Sequence, residues 1–228
     1  ASIFRALRES FDIAENAEIT MEVNPGTVSE EKINMWKTCG VNRLSIGLQS
    51  VDDGELKMLG RIHTYDEFLT TWKMVRKAGF HNVNIDLISA IPGQTKKSWE
   101  TTLRTVAQLQ PEHISAYSLI IEEGTVFGTI YGEDGERICQ KELLSRESSM
   151  PEDTERAIYE ITEKILREYG YERYEISNYA KPGYECRHNL GYWERREYLG
   201  LGLGASSLIA EHRFCNTDKM DVYIRLNK

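Results

Sequence analysis

The amino-acid sequence predicts an α/β fold in which half or more of a TIM-like (β/α) barrel precedes a small α+β extension. Between residues 18 and 120, four stretches with strand periodicity alternate with stretches that carry helix-capping signals. Two of these units are close to a repeat. TCGVNRLSIGLQS and KAGFHNVNIDLIS share a helix end, a glycine, an asparagine and a strand, and their glycines are 39 residues apart. Strands that alternate with helices form right-handed, parallel βαβ units.

The predicted elements of the barrel follow one another with clear boundaries. Ser29, Thr64 and Thr95 are the expected N-caps of three helices, and Glu67 completes a capping box with Thr64. The predicted strands are Glu18–Asn24, Val41–Ser50, Asn82–Ser89 and His113–Ile120. We therefore assign residues 1–125 to a partial barrel.

Residues 126–228 form the predicted extension. Gly200–Gly204 lacks the GxGxxG spacing of a dinucleotide site, so we interpret its glycines as close strand packing. The other expected elements are a polar excursion over Gly124–Met150, a helix after Pro151, a strand over Tyr171–Tyr179, a loop over Glu185–Trp193, and a hairpin that joins Tyr198–Ile209 to Glu211–Asn216.

The composition excludes several classes of function. The net charge is −8, with both signs interspersed, whereas a nucleic-acid surface needs a basic excess, so we expect no nucleic-acid partner. No signal peptide or membrane-spanning run is visible. The four cysteines form no CxxC pair, which indicates a reducing, cytoplasmic setting. The sequence opens on Ala1, inside a predicted helix, so we expect it to be a fragment.

Polar side chains lie near the carboxyl ends of three predicted strands. Glu22, Gln49 and Asp86 occupy these positions, and Asn84 shares a face with Asp86. Parallel strands covered on both faces are normally apolar, and burying an unpaired carboxylate is costly. One interpretation is an internal polar network, for example Glu22 paired with Arg61. The second is a polar mouth that holds a ligand with hydroxyls and an amine or carboxylate. A third is a metal-free barrel hydrolase or isomerase with Glu22 and Asp86 as acid and base.

A second cluster of chemically active residues lies in EISNYAKPGYECRHNLGYW. Cys186 and His188 have a metal-ligand spacing, but no second pair accompanies them, so a structural zinc is not favoured. His188 and Asn189, with Tyr192 and Trp193, suit a flat aromatic ligand, since imidazole ligates axially and rings pack. A buried loop that uses His188 as a hydrogen-bond donor is the alternative, and composition leaves both open.

From about residue 17 to residue 207, the sequence resembles the radical S-adenosylmethionine (SAM) family of oxygen-independent coproporphyrinogen III oxidase-like proteins. Its heme-chaperone (HemW-like) branch is the more similar one. The resemblance rests on EITMEVNPGT, GVNRLSIGLQS, LGRIH, NIDLI followed by PGQT, HISAYSLI, YEISNYAKPGY, CRHNLGYW and YLGLGLGAS. It implies the later strands of a six-stranded barrel, that is, a partial (β/α)6 radical-SAM TIM-like barrel.

The resemblance also implies a SAM site. Glu22 and Arg61 would bind the methionine end of S-adenosyl-L-methionine, and Gln49 and Asp86 would reach the ribose. The backbone around two further residues, Ile88 and Ile120, would flank the adenine.

The implied function is heme binding and transfer in heme and porphyrin metabolism. His188, Asn189, Tyr192 and Trp193 match the family's HNxxYW motif, which is associated with heme. The alternative is an oxygen-independent coproporphyrinogen III oxidase, which oxidatively decarboxylates porphyrinogen propionates. The intact protein would then use SAM, a [4Fe–4S] cluster and heme, with heme-accepting proteins and an electron donor as partners.

Two departures from the family qualify this expectation. The cluster-binding CxxxCxxC and the GGGTP segment do not occur, so the chain supplies no cluster ligands and is not expected to be an active enzyme alone. Ser206 stands where relatives have the histidine of GAHS. A partial barrel also exposes the edge of Glu18–Asn24, so we expect aggregation or homo-oligomer formation.

Overall fold

A computed structural model describes residues 1–121, 127–128 and 152–226. The chain forms two compact units, Ala1–Glu185 and Cys186–Lys228. None of the helices in the described ranges is long and apolar enough to span a membrane.

The first unit is a mixed sheet with helices between its parallel strands. Its elements are α1 (Ser2–Ser10), β1 (Thr20–Val23), α2 (Glu30–Thr38), β2 (Arg43–Gln49), α3 (Asp53–Met58), α4 (Tyr65–Lys77), β3 (Val83–Ser89), α5 (Lys96–Gln108), β4 (His113–Ser118), α6 (Glu152–Glu168), β5 (Glu172–Arg173) and β6 (Asn178–Ala180). The strand order is β1-β2-β3-β4-β6-β5. Strands β1 to β4 are parallel, which confirms the predicted βαβ units, and β6 is antiparallel to β4.

Local signals determine where these helices begin and end. Ser29, Thr64 and Thr95 each accept a hydrogen bond from the backbone amide three residues later, as predicted. Gly40 and Gly79 follow α2 and α4 with φ of +85° and +82°, a conformation that glycine adopts at little cost. The parallel repeat is therefore fixed by short-range chemistry.

The hydrophobic core lies on the helix-covered face of the sheet. Leu44, Ile46 and Leu48 of β2 are fully buried there, as are the alternate residues of β3. Trp99 of α5 is also buried, and its Nε1–H donates to Thr162 Oγ1 of α6 at 2.8 Å. Because alternate strand residues point to opposite faces, this core leaves the polar residues on the other face of the sheet.

Elements after residue 125 also belong to the first unit. Strand β6 pairs with β4, and α6 packs against α5, so the unit boundary lies at 185/186 rather than at the 125/126 division drawn from the sequence. The prediction of one strand over Tyr171–Tyr179 is wrong: β5 and β6 are two short antiparallel strands. The predicted excursion over Gly124–Met150 lies outside the described residues, apart from residues 127–128.

The second unit contains α7 (Arg187–Trp193), β7 (Ser206–Ile209), β8 (His212–Cys215) and α8 (Met220–Leu226). The prediction of a loop over Glu185–Trp193 is wrong, because most of it forms α7. The hairpin of β7 and β8 is confirmed. A Cβ on Gly200 would lie 2.2 Å from the backbone oxygen of Ser206, which confirms close strand packing in the glycine-rich stretch.

Candidate functional site

The face of the sheet opposite the core carries two rows of residues. The pairing register aligns Glu22, Ser45, Asn84 and His113 in one row, and Gly47, Asp86 and Ser115 in the next. Since residues in register across parallel strands share a face, the predicted polar residues of β1 and β3 lie together. We call these rows the polar face.

Asp86 is held in the polar face by its neighbours. Its Oδ2 accepts a hydrogen bond from Ser45 Oγ, and its Oδ1 accepts one from Asn84 Nδ2, both at 2.8 Å. Burial raises the pKa of Asp86, hydrogen bonds from Ser45, Asn84 and Ser115 oppose this, and the charge of Glu22 adds to it. The carboxyl group therefore keeps its proton to a higher pH than an exposed aspartate.

A buried histidine extends this network. Asn84 Oδ1 lies 2.6 Å from His113 Nδ1, and His113 Nε2 lies 2.8 Å from the Tyr174 hydroxyl. Burial, and then the charge of Arg43, lowers the pKa of His113 to about 3, so its ring is neutral. We assign Nδ1–H as the donor to Asn84 and the Tyr174 hydroxyl as the donor to Nε2, because an amide oxygen only accepts. Neither His113 nor Tyr174 was predicted as a site residue from the sequence, where the alternation of His113 with Ser115 was the available signal.

The expectation of an internal polar network is therefore confirmed, but with other partners. Within the described residues, Glu22 and Arg61 form no ion pair, which contradicts the pairing offered as an example. Arg61 Nη1 lies 3.5 Å from Asn24 Oδ1 instead, and Glu22 is exposed. Both charged groups remain available to a ligand.

Tyr117 of β4 lies close to these charges and was not singled out from the sequence. Its pKa is raised to about 12, with burial as the largest cause; the charges of Asp86 and Glu22 also raise it, and the charge of Arg61 lowers it. Three of the predicted site residues thus lie within electrostatic range of one tyrosine.

Gln49 ends β2 in an unusual conformation. Its φ is +74°, the residue is only 3% exposed, and the register of β2 with β3 shifts at this point. Its amide lies over Gly47, since a Cβ on Gly47 would be only 2.7 Å from Gln49 Nε2. Gln49 Oε1 is buried and has no hydrogen-bond partner among the residues that the structure describes. Such an acceptor fits a ligand hydroxyl or amine, because buried polar atoms are rarely left unpaired.

Ile88 and Ile120 differ in their surroundings. Ile88 is buried and pairs in register with Tyr117, beside the polar face. Strand β4 ends at Ser118, two residues earlier than the strand predicted to reach Ile120, whose side chain is 78% exposed. The Leu119 amide donates to the Ser89 oxygen at 2.8 Å, so the segments after β3 and β4 remain adjacent.

The carboxylate of Glu55 forms hydrogen bonds with residues that follow β2 and β3. Glu55 Oε2 accepts hydrogen bonds from Ser50 Oγ at 2.6 Å and from Gln94 Nε2 at 2.9 Å. Glu55 Oε1 accepts a third from Ser98 Oγ at 2.7 Å. Gln94 belongs to the PGQT motif, for which the sequence alone predicts no role. This carboxylate holds the carboxyl end of β2, including Gln49, against the neighbouring loop.

The second unit contains a separate aromatic cluster on α7. The rings of His188 and Tyr192, one helical turn apart, lie edge to face with centroids 4.6 Å apart, and Tyr192 meets Tyr198 in the same way at 4.7 Å. His188 is exposed, and in the described part of the chain its ring nitrogens make no hydrogen bond. The alternative of a buried histidine donor is therefore wrong.

The cluster borders an open cavity of about 190 Å³, lined by Arg187, His188, Gly191, Tyr192, Arg196, Glu197 and Tyr198. Asn189 and Trp193 each follow a lining residue, His188 or Tyr192, along the helix and are not themselves part of the lining. The cavity is smaller than typical small-molecule clefts of about 300–1,000 Å³, so a large flat ligand would lie partly outside it.

The described residues do not fit a metal cluster. A [4Fe–4S] cluster needs several converging thiolates. Cys39 and Cys186 are buried in different units, and Cys215 is exposed. Cys186 is buried whereas His188 is exposed, so these two do not form a zinc pair. No group of three or more potential ligands occurs among the residues that the structure describes.

Comparisons with known proteins show which families the chain resembles. Residues 1–106 match the model of the Radical SAM superfamily, which implies SAM and a [4Fe–4S] cluster as cofactors. Heme chaperone HemW from Bacillus subtilis is 39% identical over 224 residues, covering 98% of this chain and 55% of that protein. Heme chaperone HemW from Escherichia coli is 39% identical over 207 residues, covering 90% and 50%.

A solved structure shows the same fold. Coproporphyrinogen III oxidase from Escherichia coli, a radical SAM enzyme, superposes with a TM-score of 0.77 at 23% identity, over 99% of this chain and 52% of that one. The chain thus spans about half the length of the relatives that it matches. Residues 1–106 are thus similar to radical SAM proteins, and nearly the whole chain is similar to heme chaperones of the HemW type.

Proposed function

We propose that the protein containing this chain is a cytoplasmic heme-binding chaperone with a radical SAM domain. The observation that supports this most directly is His188, an exposed imidazole whose ring nitrogens make no hydrogen bond with the described residues. Neutral imidazole is the common axial ligand of heme iron, and aromatic rings pack against its macrocycle. His188 would ligate the iron while Tyr192, with Asn189 and Trp193 further along α7, would contact the ring. A heme-accepting protein would be the partner.

The test is a titration with ferric heme, followed in the Soret region. Wild-type protein is expected to shift and sharpen the Soret band. His188→Ala removes the axial ligand and is expected to lose at least tenfold in affinity, which corresponds to about 1.4 kcal/mol or more of binding free energy. His81→Ala, which removes an exposed histidine of the first unit, is the matched control. Equal titrations of wild type and His188→Ala would remove His188 as the ligand.

We propose that the polar face binds SAM. Glu22 and Arg61 would pair with the amino and carboxylate groups of its methionine end, and Gln49 and Asp86 would accept hydrogen bonds from ribose hydroxyls. The backbone at Ile88 and Ile120 would flank the adenine. When bound beside a reduced cluster, SAM supplies radical chemistry, and this chain's residues orient it.

Equilibrium dialysis with radiolabelled SAM tests the site. Asp86→Ala and Gln49→Ala are each expected to lower the affinity about tenfold, the effect of a hydrogen bond to a charged or buried group. Asp12→Ala, at an exposed position of the first unit, should bind like wild type. Unchanged affinity in both site variants would overturn the assignment.

A second candidate is the oxidase, an oxygen-independent decarboxylation of porphyrinogen propionates. The observation that favours it is the grouping of Asp86, Glu22 and Arg61 around Tyr117, a charged site on a radical SAM fold. It requires an electron donor and predicts that the intact, cluster-loaded protein consumes coproporphyrinogen. A chaperone would bind heme without consuming this substrate.

A further inference from the structure

Arg213 lies beside the aromatic cluster of the second unit. Tyr198 forms a bridge with Leu208 of β7, and Leu208 pairs with Arg213 of β8, so the three residues form one cross-strand row. Directly opposed residues in antiparallel strands point to the same face, so Arg213 shares the face of Tyr198 at about two strand spacings, or about 10 Å. The charge of Arg213 acts on the Tyr192 phenol, which agrees with this placement.

Arg213 differs from the other arginines near α7 in its partners. Arg195 pairs with Glu211, and Arg196 pairs with Glu194. Arg213 is exposed and makes no ion pair or hydrogen bond with any residue that the structure describes. The carboxylate that lines the cavity, Glu197, accepts a hydrogen bond from the Ala210 amide at 2.6 Å. Arg213 is therefore a cation at the cluster for which the described residues provide no anion.

The second unit also differs in charge from the rest of the chain. Residues 186–228 carry seven Lys and Arg against five Asp and Glu, a net charge of +2, in a chain whose total is −8. The net charge of this unit thus attracts an anionic ligand, whereas the net charge of the rest of the chain repels it.

We propose that Arg213 binds a carboxylate of a porphyrin ligand whose iron is held by His188. This inference rests on the proposed heme-binding function and extends it to the ligand's acidic side chains. Porphyrins of the heme series carry propionate groups on the rim of the macrocycle, and a guanidinium binds a carboxylate through two parallel hydrogen bonds. The aromatic cluster contacts the apolar ring, and Arg213 makes the site selective for the free acid.

The experiment compares ferric protoporphyrin IX with its dimethyl ester, in which both propionates are uncharged. Wild-type protein is expected to bind the free acid about tenfold more tightly, as a hydrogen bond to a charged group would give. Arg213→Gln should bind both ligands with similar affinity, with the Soret maximum unchanged because His188 still ligates. Arg213→Lys should recover part of the preference, and the control Arg195→Gln, whose guanidinium is already paired with Glu211, should keep all of it.

The outcomes separate the inference from the function on which it rests. The role of Arg213 would be overturned if the wild-type protein bound heme and its dimethyl ester with equal affinity. It would also be overturned if Arg213→Gln kept the full preference for the free acid. Either result would leave heme binding intact. No Soret change with either ligand would overturn heme binding, and the proposal for Arg213 with it.

Discussion

His113 and Asp86 titrate in opposite senses although they belong to one hydrogen-bonded network. Folding lowers the pKa of His113 from 6.5 to about 3, so between these pH values the unfolded chain binds a proton at His113 and the folded chain does not. This contribution to stability is present above pH 6.5 and is lost as the pH falls towards 3. The pKa of Asp86 is raised, so its contribution is present below its ordinary value of 3.8 and is lost as the pH rises.

The histidine effect can be isolated by substitution. Between pH 7 and pH 5, protonation of His113 in the unfolded state is expected to lower the free energy of unfolding by about 2 kcal/mol. His113→Gln keeps a side-chain donor for Asn84 but cannot titrate, so it should lack this loss. Urea unfolding of both proteins at the two pH values measures the difference.

An exposed histidine provides the control for this experiment. His81→Gln should follow the wild-type pH dependence, because His81 is exposed on the surface of the first unit. If His113→Gln lost the same stability as wild type between pH 7 and pH 5, the histidine would not be buried in a neutral form.

At the scale of elements, strand β2 depends on a glycine for the placement of its last side chain. Gly47 has no positive φ, so alanine fits its backbone, but the added Cβ would meet Gln49 Nε2 at 2.7 Å. Gly47→Ala should therefore displace the Gln49 amide and weaken SAM binding about as much as Gln49→Ala, roughly tenfold. The free energy of unfolding should change by less than about 1 kcal/mol, since only the end of a flexible side chain has to move.

Gly200→Ala provides the contrast. There the new Cβ would lie 2.2 Å from the backbone oxygen of Ser206, which cannot rotate away. This substitution should destabilise the second unit by about 1–3 kcal/mol and leave SAM affinity unchanged. Thermal unfolding and SAM dialysis of both variants check the pair. Normal SAM binding in Gly47→Ala would mean that Gln49 does not contact the ligand.

The elements also show what the sequence can predict. Strand alternation, caps and helix-ending glycines are local, so the bounds of β1 to β4 are predicted to within about two residues, as are the N-caps of α2, α4 and α5. Helix α7 was missed because its histidine, asparagine, glycine and aromatic residues are weak helix formers and its length is only seven residues. Tertiary contacts can override such weak helix propensities.

The residues of the candidate sites also differ in whether the sequence could identify them. Periodicity identified Glu22, Gln49 and Asp86, because it reports which face of a strand a residue occupies. It could not identify the contact of His113 with Tyr174, 61 residues away, since a partner contributed by another element leaves no local pattern. The same limit applies to Arg213, whose position beside Tyr192 depends on the pairing of β7 with β8.

For the whole molecule, the open edge of the sheet has the largest consequence. Strand β1 ends the sheet order, and no strand among the described residues pairs with its outer side. Unpaired backbone groups on such an edge promote pairing with another chain, and lysine on an edge strand opposes it. The 228-residue chain is therefore expected to self-associate, with a mass in light scattering that rises with concentration.

Two lysine substitutions test whether β1 is responsible. Thr20→Lys places a charge on the exposed first residue of β1 and should shift the scattering mass towards the monomer. Thr101→Lys adds the same charge on the exposed face of α5 and should leave association unchanged. If both variants reduced association equally, net charge rather than the β1 edge would control it. A monodisperse wild-type monomer at all concentrations would show that the edge is protected, which would imply that residues outside the described ranges cover it.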